Sequence, residues 1–221
     1  MSRAAFARAY GRRVDAQGVE LRLGLKSFNT PADFRLEKRL PVSDAGGGGR
    51  WRQQWLAHAV KANVLAFHEN PVFEQGREHV APAASRRKGA QFLATVVSHD
   101  APLEARLELA LEARLLTLLE RHPNVLTLVA LVSDGGPAIL VTEYPEGGRL
   151  RHYLRMHGAS LSVENIEAGC VGLASAMAYL ESLAIVHRAL SLDCVAVGRD
   201  LRELKLMEFG EVVLRMGPGA A

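Results

Sequence analysis

The sequence predicts an α+β fold with a mostly antiparallel sheet, and three parts of the chain carry that prediction. Gln91–Ser98 is rich in β-branched residues and predicts a buried strand. Leu103–Arg121 consists largely of strong helix formers and is flanked by prolines, which predicts a helix. Val125–Ser133 and Ala138–Tyr144 flank an Asp-Gly-Gly-Pro turn and predict a hairpin. Strands and helices that do not alternate strictly are typical of α+β folds.

Residues 1–50 form a basic leader that ends in a glycine-rich linker. Val19–Leu25 alternates apolar and polar side chains, which predicts a half-buried strand. Ser43–Arg50 contains four consecutive glycines. We interpret it as a flexible linker and not as a phosphate loop, because no Lys-Ser or Lys-Thr pair follows the glycines.

Trp51–Phe67 places its apolar residues at roughly helical spacing and predicts an amphipathic helix, within a juxtadomain segment of residues 51–69. A basic amphipathic helix can lie on a membrane or bind in the groove of a partner. Packing of the helix on its own domain is the interpretation that we favour over membrane association of residues 51–67.

The chain after the hairpin predicts two helices and a pair of strands. Gly147–Gly158 predicts a short helix, and Val163–Ile185 predicts a long one with an apolar face. Short strands are predicted around Val195–Val197 and Leu204–Met207. These elements complete the α+β pattern.

Composition and charge exclude several classes of protein. No run of eighteen or more apolar residues occurs, so no membrane-spanning helix is predicted. Cys170 and Cys194 fit neither a disulfide framework nor a zinc spacing, which favours a reducing, cytoplasmic location. The net charge of +3 divides into +7 for residues 1–66 (12 basic, 5 acidic) and −4 for residues 67–221 (15 basic, 19 acidic). Because the basic residues are scattered, no nucleic-acid partner is predicted.

Four collinear segments carry the most specific pattern in the sequence. They are residues 112–126 (EARLLTLLERHPNVL), 139–155 (ILVTEYPEGGRLRHYLR), 175–197 (SAMAYLESLAIVHRALSLDCVAV) and 204–210 (LKLMEFG). In this order and spacing they resemble helix C, the hinge with helix D, helix E with the catalytic loop, and the metal-binding loop of protein kinases. The Thr-Glu-Tyr hinge and the Met-Ala-Tyr-Leu-Glu run favour the tyrosine-kinase branch of that family.

The resemblance implies a protein-kinase-like small lobe, an antiparallel sheet with helix C, followed by the first helices of the large lobe. Residues 70–216 form this partial domain, which is incomplete on its C-terminal side, and residues 217–221 form a tail. The expected architecture therefore covers about half of a kinase domain.

The catalytic positions that the resemblance implies are mostly degenerate. Phosphoryl transfer needs a lysine on the phosphates, magnesium ligands, and an aspartate that accepts the hydroxyl proton. Glu112 matches the helix C glutamate, but residues 92–98 contain no Lys or Arg that could be its strand partner. His187 and Arg188 are retained in the catalytic loop, whereas Ala189 stands in the place of the aspartate.

The metal and phosphate positions have changed as well. Cys194 replaces the asparagine that would hold magnesium, and a thiol is a poor ligand for that hard cation. Glu208 replaces the metal-binding aspartate, which keeps the charge but moves the carboxylate, so it is a doubtful metal ligand. Gly76 is the glycine kept in Phe73–Ala84, the segment that matches the glycine-rich loop. Asp193 is the candidate substitute for the missing aspartate, but it is predicted to point elsewhere.

Apolar and hinge positions of the family are retained. Four side chains match the apolar stack of an active kinase: Leu116, Leu128, His187 and Phe209. Four residues match the positions that shape an adenine pocket: Ala94, Thr142, Glu143 and Tyr144. The resemblance thus implies weak ATP binding without a metal requirement, and no required cofactor.

The predicted function is that of a catalytically impaired, tyrosine-kinase-type module that regulates a protein partner by binding, the partner being a true kinase or a scaffold. One alternative is a residually active ATP-dependent tyrosine kinase, in which Glu208 holds magnesium and Asp193 or water accepts the proton. Another is a truncated fragment without independent function, because the sequence ends eleven residues beyond Gly210.

Overall fold

The computed structural model describes residues 33–41, 51–60, 89–98, 100–132 and 138–214. These residues form two compact units. The sheet unit contains the described residues up to 117 together with 127–144, and the helical unit contains residues 118–126 and 145–214.

The sheet unit is a five-stranded antiparallel sheet with one helix. Its elements are β1 Phe34–Leu40, β2 Arg52–Ala59, β3 Gln91–Val97, α1 Leu103–Leu118, β4 Leu128–Val132 and β5 Ala138–Glu143. The strand order is β1-β2-β3-β5-β4, and every neighbouring pair is antiparallel. The predicted third strand, helix and hairpin are therefore confirmed, and so is the kinase-like small lobe.

One face of the sheet buries an apolar cluster around β3. Phe92 and Ala94 lie on this face opposite Val141 of β5, and all three side chains are at most 2% exposed. Phe34 of β1 packs edge-to-face on Phe92, with the ring centres 5.7 Å apart. Burial of these large apolar surfaces fixes the register of the strands, because a slip of one residue would turn the cluster towards water.

The prediction of a helix in Trp51–Phe67 is wrong for the described residues, since β2 runs from Arg52 to Ala59. Seven consecutive residue pairs join β2 to β3 from Arg52 opposite Val97 to His58 opposite Gln91. The alternation of side chains was hard to detect in the sequence, because both faces of β2 mix polar and apolar residues. Pairing with strands on both sides, rather than local spacing, decides the conformation.

The helical unit is built mainly from two helices and short strand pairs. Its elements are β6 Gly148–Arg149, α2 Leu150–His157, a 3₁₀ turn at Gly158–Ser160, α3 Val163–Ser182, β7 Ile185–Val186, β8 Val195–Val197, β9 Leu204–Leu206 and β10 Val213–Leu214. β6, β8 and β9 form one antiparallel sheet, and β7 pairs with β10. Ser162 caps α3 by accepting a 3.2 Å hydrogen bond from the backbone N–H of Asn165.

Boundaries differ from the prediction by a few residues. Helix α1 ends at Leu118 and α3 ends at Ser182, three residues earlier than expected in each case. β4 begins at Leu128, because Val125 and Leu126 pair instead with Leu206 in the helical unit. The predicted strand at Val19–Leu25, the linker at Ser43–Arg50 and the segment Phe73–Ala84 with Gly76 lie outside the described residues.

Candidate active site

Glu112, the retained helix glutamate, is bound by an arginine that the sequence did not point to. The Arg52 Nη2 donates to Glu112 Oε2 at 2.5 Å, and the two side chains are 10% and 5% exposed. Residues 92–98 of the third strand contain no Lys or Arg, and the structure shows that β2 supplies the cation instead. Excluding water strengthens this attraction, and each charge would be costly to bury alone.

The third strand places the candidate adenine residues on two different faces. Ala94 pairs with Val141 and belongs to the buried apolar cluster, whereas Thr142 pairs with Leu93 on the opposite face. Arg52 pairs with Val97, so it shares the face of Leu93 and Thr142. The structure therefore does not bring Ala94 and Thr142 together on one surface of the sheet.

The hinge residues have much of their hydrogen-bonding capacity engaged within the sheet unit. The backbone N–H of Glu143 donates to the Thr127 carbonyl at 3.0 Å, and the Glu143 carboxylate accepts from the Thr127 N–H at 2.8 Å. The Thr142 hydroxyl lies 3.5 Å from the Leu93 carbonyl. Tyr144 is half-buried, and the next residue, Pro145, has no N–H to donate. The segment thus offers a ligand few backbone donors.

The loop that matches the catalytic loop of the family is built on a buried histidine. His187 is 1% exposed, its Nε2 lies 3.2 Å from the Met207 carbonyl, and its ring packs on Phe209 with centres 5.2 Å apart. Arg188 has φ +65°, a left-handed conformation that costs a non-glycine residue about 1–2 kcal/mol. Ala189 follows directly, and its methyl group cannot accept a proton. The strained residue thus lies directly before a side chain that is not a proton acceptor.

His187 is held in its neutral form. Burial lowers its pKa below the ordinary value of 6.5, and this outweighs the Met207 carbonyl and the Glu208 charge, which both act to raise the pKa. With Nε2 donating to Met207, Nδ1 lacks a hydrogen-bond partner among the described residues. A second proton on Nδ1 would therefore bring an uncompensated charge into the interior.

Asp193 is the one carboxylate between His187 and Cys194, and it is bound by another side chain. The Arg151 Nε donates to Asp193 Oδ2 at 2.7 Å, and the Asp193 side chain is 9% exposed. This ion pair engages the Asp193 carboxylate with the Arg151 side chain instead of leaving it at the alanine position.

Cys194 is buried, and its thiol accepts a 3.4 Å hydrogen bond from the Ser191 hydroxyl. Burial raises the pKa of the thiol above its ordinary value, which keeps sulfur in the protonated form. A neutral thiol does not coordinate magnesium. The residue therefore packs in the interior of the unit and offers no ligand to a metal at the asparagine position.

Glu208, at the position of the metal-binding aspartate, forms an ion pair with an arginine. Arg149 of β6 donates one Nη to the Glu208 carboxylate and the other Nη to the Asp193 carbonyl. The Arg149 and Glu208 side chains are 12% and 10% exposed. Glu208 itself has φ +64°. One guanidinium thus connects the metal-binding loop to the catalytic loop.

Three arginines were missed by sequence reasoning: Arg52, Arg149 and Arg151. Each pairs with an acidic residue 42 to 60 positions away along the chain, so no local pattern connects the partners. The sequence showed that these acidic residues were present and that residues 92–98 contain no Lys or Arg to pair with Glu112. It contained no signal for which cations replaced them.

The described residues contain neither a metal cluster nor a membrane-spanning helix. Among the described residues, no group of three or more His, Cys, Asp or Glu side chains is arranged to hold a metal ion. No helix in the described part of the chain has the length and apolar character needed to cross a bilayer.

The sequence is similar to known protein kinases over the region that contains this site. The family described as protein tyrosine and serine/threonine kinase matches residues 79–213, more than half of the chain. The high affinity nerve growth factor receptor of Mus musculus is 34% identical over 125 residues, which cover 50% of this chain and 15% of that protein.

Two ephrin receptors of Homo sapiens are similar over the same part. Ephrin type-A receptor 8 is 37% identical over 101 residues, covering 45% of this chain and 10% of the receptor. Ephrin type-B receptor 4 is 32% identical over 105 residues, covering 48% and 10%. The matched part of the chain thus spans only 10–15% of these three relatives. Together these similarities confirm the predicted tyrosine-kinase branch.

Proposed function

Because the chain belongs to the protein tyrosine and serine/threonine kinase family, we propose that it is a catalytically impaired, tyrosine-kinase-type module that acts by binding. The observation that carries this proposal is the catalytic loop. Ala189 stands where the proton acceptor is required, and the single carboxylate in the following five residues, Asp193, is paired with Arg151 at 2.7 Å. No side chain of the loop is left to take a proton from a hydroxyl substrate.

The expected loss of rate is large. A positioned general base contributes roughly 10²–10⁴ in rate. Loss of the metal and phosphate contacts removes charge stabilisation in addition, although effects within one catalytic unit are not additive. Transfer close to the uncatalysed background follows from these terms together.

A residually active tyrosine kinase is the second candidate, and one observation favours it. Arg52, paired with Glu112, places a cation on the same face of the sheet as Thr142. In an active kinase the strand lysine supplies this positive charge. An arginine carries the charge required to contact phosphate. This cation can assist nucleotide binding but cannot replace the proton acceptor, so we rank this function below the first.

Regulation of a protein partner in the cytoplasm is part of the proposal. We propose that the partner is a catalytically competent kinase or a scaffold. Nucleotide is expected to bind weakly and without magnesium, since the hinge offers few backbone donors and Cys194 offers no hard ligand. A thermal-shift titration with ATP, with and without magnesium, tests this part. A strict requirement for magnesium would contradict it.

The transfer of radiolabelled phosphate from ATP to a tyrosine-containing polymer tests the proposed function directly. The native chain is expected to transfer phosphate at the background rate. Glu208→Ala and Glu211→Ala form a matched pair, because Glu208 is buried at the metal position whereas Glu211 is exposed three residues later. Native activity that Glu208→Ala abolishes and Glu211→Ala retains would establish the second candidate instead.

A further inference from the structure

The Arg149–Glu208 pair puts a protein cation at the carboxylate that a kinase uses for metal. Arg149 lies at the end of β6, directly before α2, and its guanidinium is largely buried against Glu208. The same guanidinium donates to the backbone carbonyl of Asp193 in the catalytic loop. Through these two charge-assisted hydrogen bonds, Arg149 links the loop that contains Glu208 to the loop that contains Asp193.

A magnesium ion does not fit this arrangement. Magnesium requires near-octahedral oxygen ligands at about 2.0–2.1 Å, usually with one or two carboxylates. The Arg149 guanidinium already donates to a Glu208 carboxylate oxygen, and its positive charge repels a divalent cation. Cys194 supplies a buried thiol in place of an oxygen ligand, so a metal at this position would depend on the Glu208 carboxylate that Arg149 binds.

We infer that Arg149 is an internal cation that replaces the divalent metal at Glu208 and holds Glu208 in its left-handed conformation without metal. Glu208 has φ +64°, which is strained for a non-glycine residue. Its side chain is 10% exposed, so the carboxylate needs a cation that compensates its charge. The pair with Arg149 meets that need permanently. This inference deepens the proposed function and rests on it, because it explains how the degenerate site stays folded.

Metal titration of the full chain without nucleotide tests the inference. Thermal unfolding is recorded with Mg²⁺ or Mn²⁺ against sodium chloride of equal ionic strength, with a chelator control, and Mn²⁺ binding is followed by electron paramagnetic resonance. A metal at ten times its dissociation constant raises the melting temperature of a chain of this size by roughly 3–6 °C. The native chain is expected to show no such rise.

Removal of the arginine is expected to create the missing metal response. Arg149→Gln should lower the melting temperature by roughly 6–20 °C, because it leaves a buried carboxylate without its cation. Mg²⁺ or Mn²⁺ should then restore part of the loss, and Arg149→Gln/Glu208→Gln should abolish that restoration. The matched control is Arg202→Gln, which breaks an ion pair that is 63% and 33% exposed and should change the melting temperature by at most about 4 °C.

Three outcomes would overturn the inference. The first is a metal-dependent rise in the native chain that Glu208→Gln removes. The second is a melting temperature of Arg149→Gln no lower than that of Arg202→Gln. The third is an Arg149→Gln variant that ignores both metals.

If Arg149→Gln does not fold, the metal titration of the native chain and the apolar double variant Arg149→Met/Glu208→Leu still test whether Arg149 takes the place of a metal at Glu208. Metal binding by a native chain that transfers no phosphate would refute this inference alone, whereas phosphate transfer would refute the proposed function.

Discussion

Substitution of Glu112 by glutamine tests whether its buried pair with Arg52 holds helix α1 to the sheet. The charged atoms lie 2.5 Å apart and both side chains are at most 10% exposed. Removing one partner of a buried pair costs about 3–5 kcal/mol, because the other charge is left uncompensated. Since domains are typically stable by about 5–15 kcal/mol, Glu112→Gln should remove a large part of the free energy of unfolding.

A double variant separates the charge penalty from the loss of packing. Arg52→Met/Glu112→Leu removes both charges and keeps most of the side-chain volume, so it should be considerably more stable than Glu112→Gln. Urea unfolding followed by tryptophan fluorescence is a suitable assay, because Trp55 lies half-buried in β2, the strand that also carries Arg52. Hydrogen exchange in α1 and β2 would localise the effect to the sheet unit.

An exposed ion pair in the other unit provides the control. Arg202 and Asp200 are 63% and 33% exposed, so Arg202→Met should leave the free energy of unfolding nearly unchanged. The reasoning would be refuted if Glu112→Gln cost no more than this control. The prediction would also fail if the double variant lost as much free energy of unfolding as Arg52→Met and Glu112→Leu lose together. The two residues would then show no coupling.

Two further predictions concern the helical unit. A Cβ at Gly169 of α3 would lie 2.4 Å from the Leu201 carbonyl oxygen, so Gly169→Ala should lose about 1–3 kcal/mol of unfolding free energy. Gly158→Ala is the control and should lose much less, because no atom lies within 4 Å of the added carbon. Urea unfolding measures both variants. Burial lowers the pKa of His187, so the unfolded state binds the proton more readily. The free energy of unfolding should therefore decrease as the pH falls below about 6.5, and His187 should contribute at most about 1.4 kcal/mol per pH unit to this decrease. Unfolding midpoints between pH 7.5 and 5.5 should show a smaller slope for His187→Leu than for the surface control His152→Gln, and equal slopes would contradict the assignment.

Strong local patterns made much of the fold predictable. The β-branched run of β3, the uninterrupted helix formers of α1 and the apolar runs of β4 and β5 each specify their conformation within a few residues. β2 was mispredicted because its sequence suits a helix as well as a strand. Its conformation depends on backbone hydrogen bonds to β1 and β3, which local spacing does not reveal.

For the candidate site, the sequence alone predicted only the positions at which this chain departs from the kinase pattern. Comparison with the kinase pattern showed that Ala189, Cys194 and Glu208 differ from the expected residues. It did not show that Arg149 binds Glu208 or that Arg151 binds Asp193, because a long side chain can reach many positions that are remote along the chain. The face on which Ala94 lies was also open until the pairing with Val141 fixed it.

The sequence by itself determined the family, the order of most elements and the presence of alanine at position 189, because these are properties of residue type and local spacing. Only the tertiary structure decided which cations pair with the three carboxylates of the site. Glu112, Asp193 and Glu208 are paired with Arg52, Arg151 and Arg149 across 42 to 60 residues, and the three acidic side chains are at most 10% exposed. A buried charge must be compensated, but which cation compensates it depends on how the chain folds.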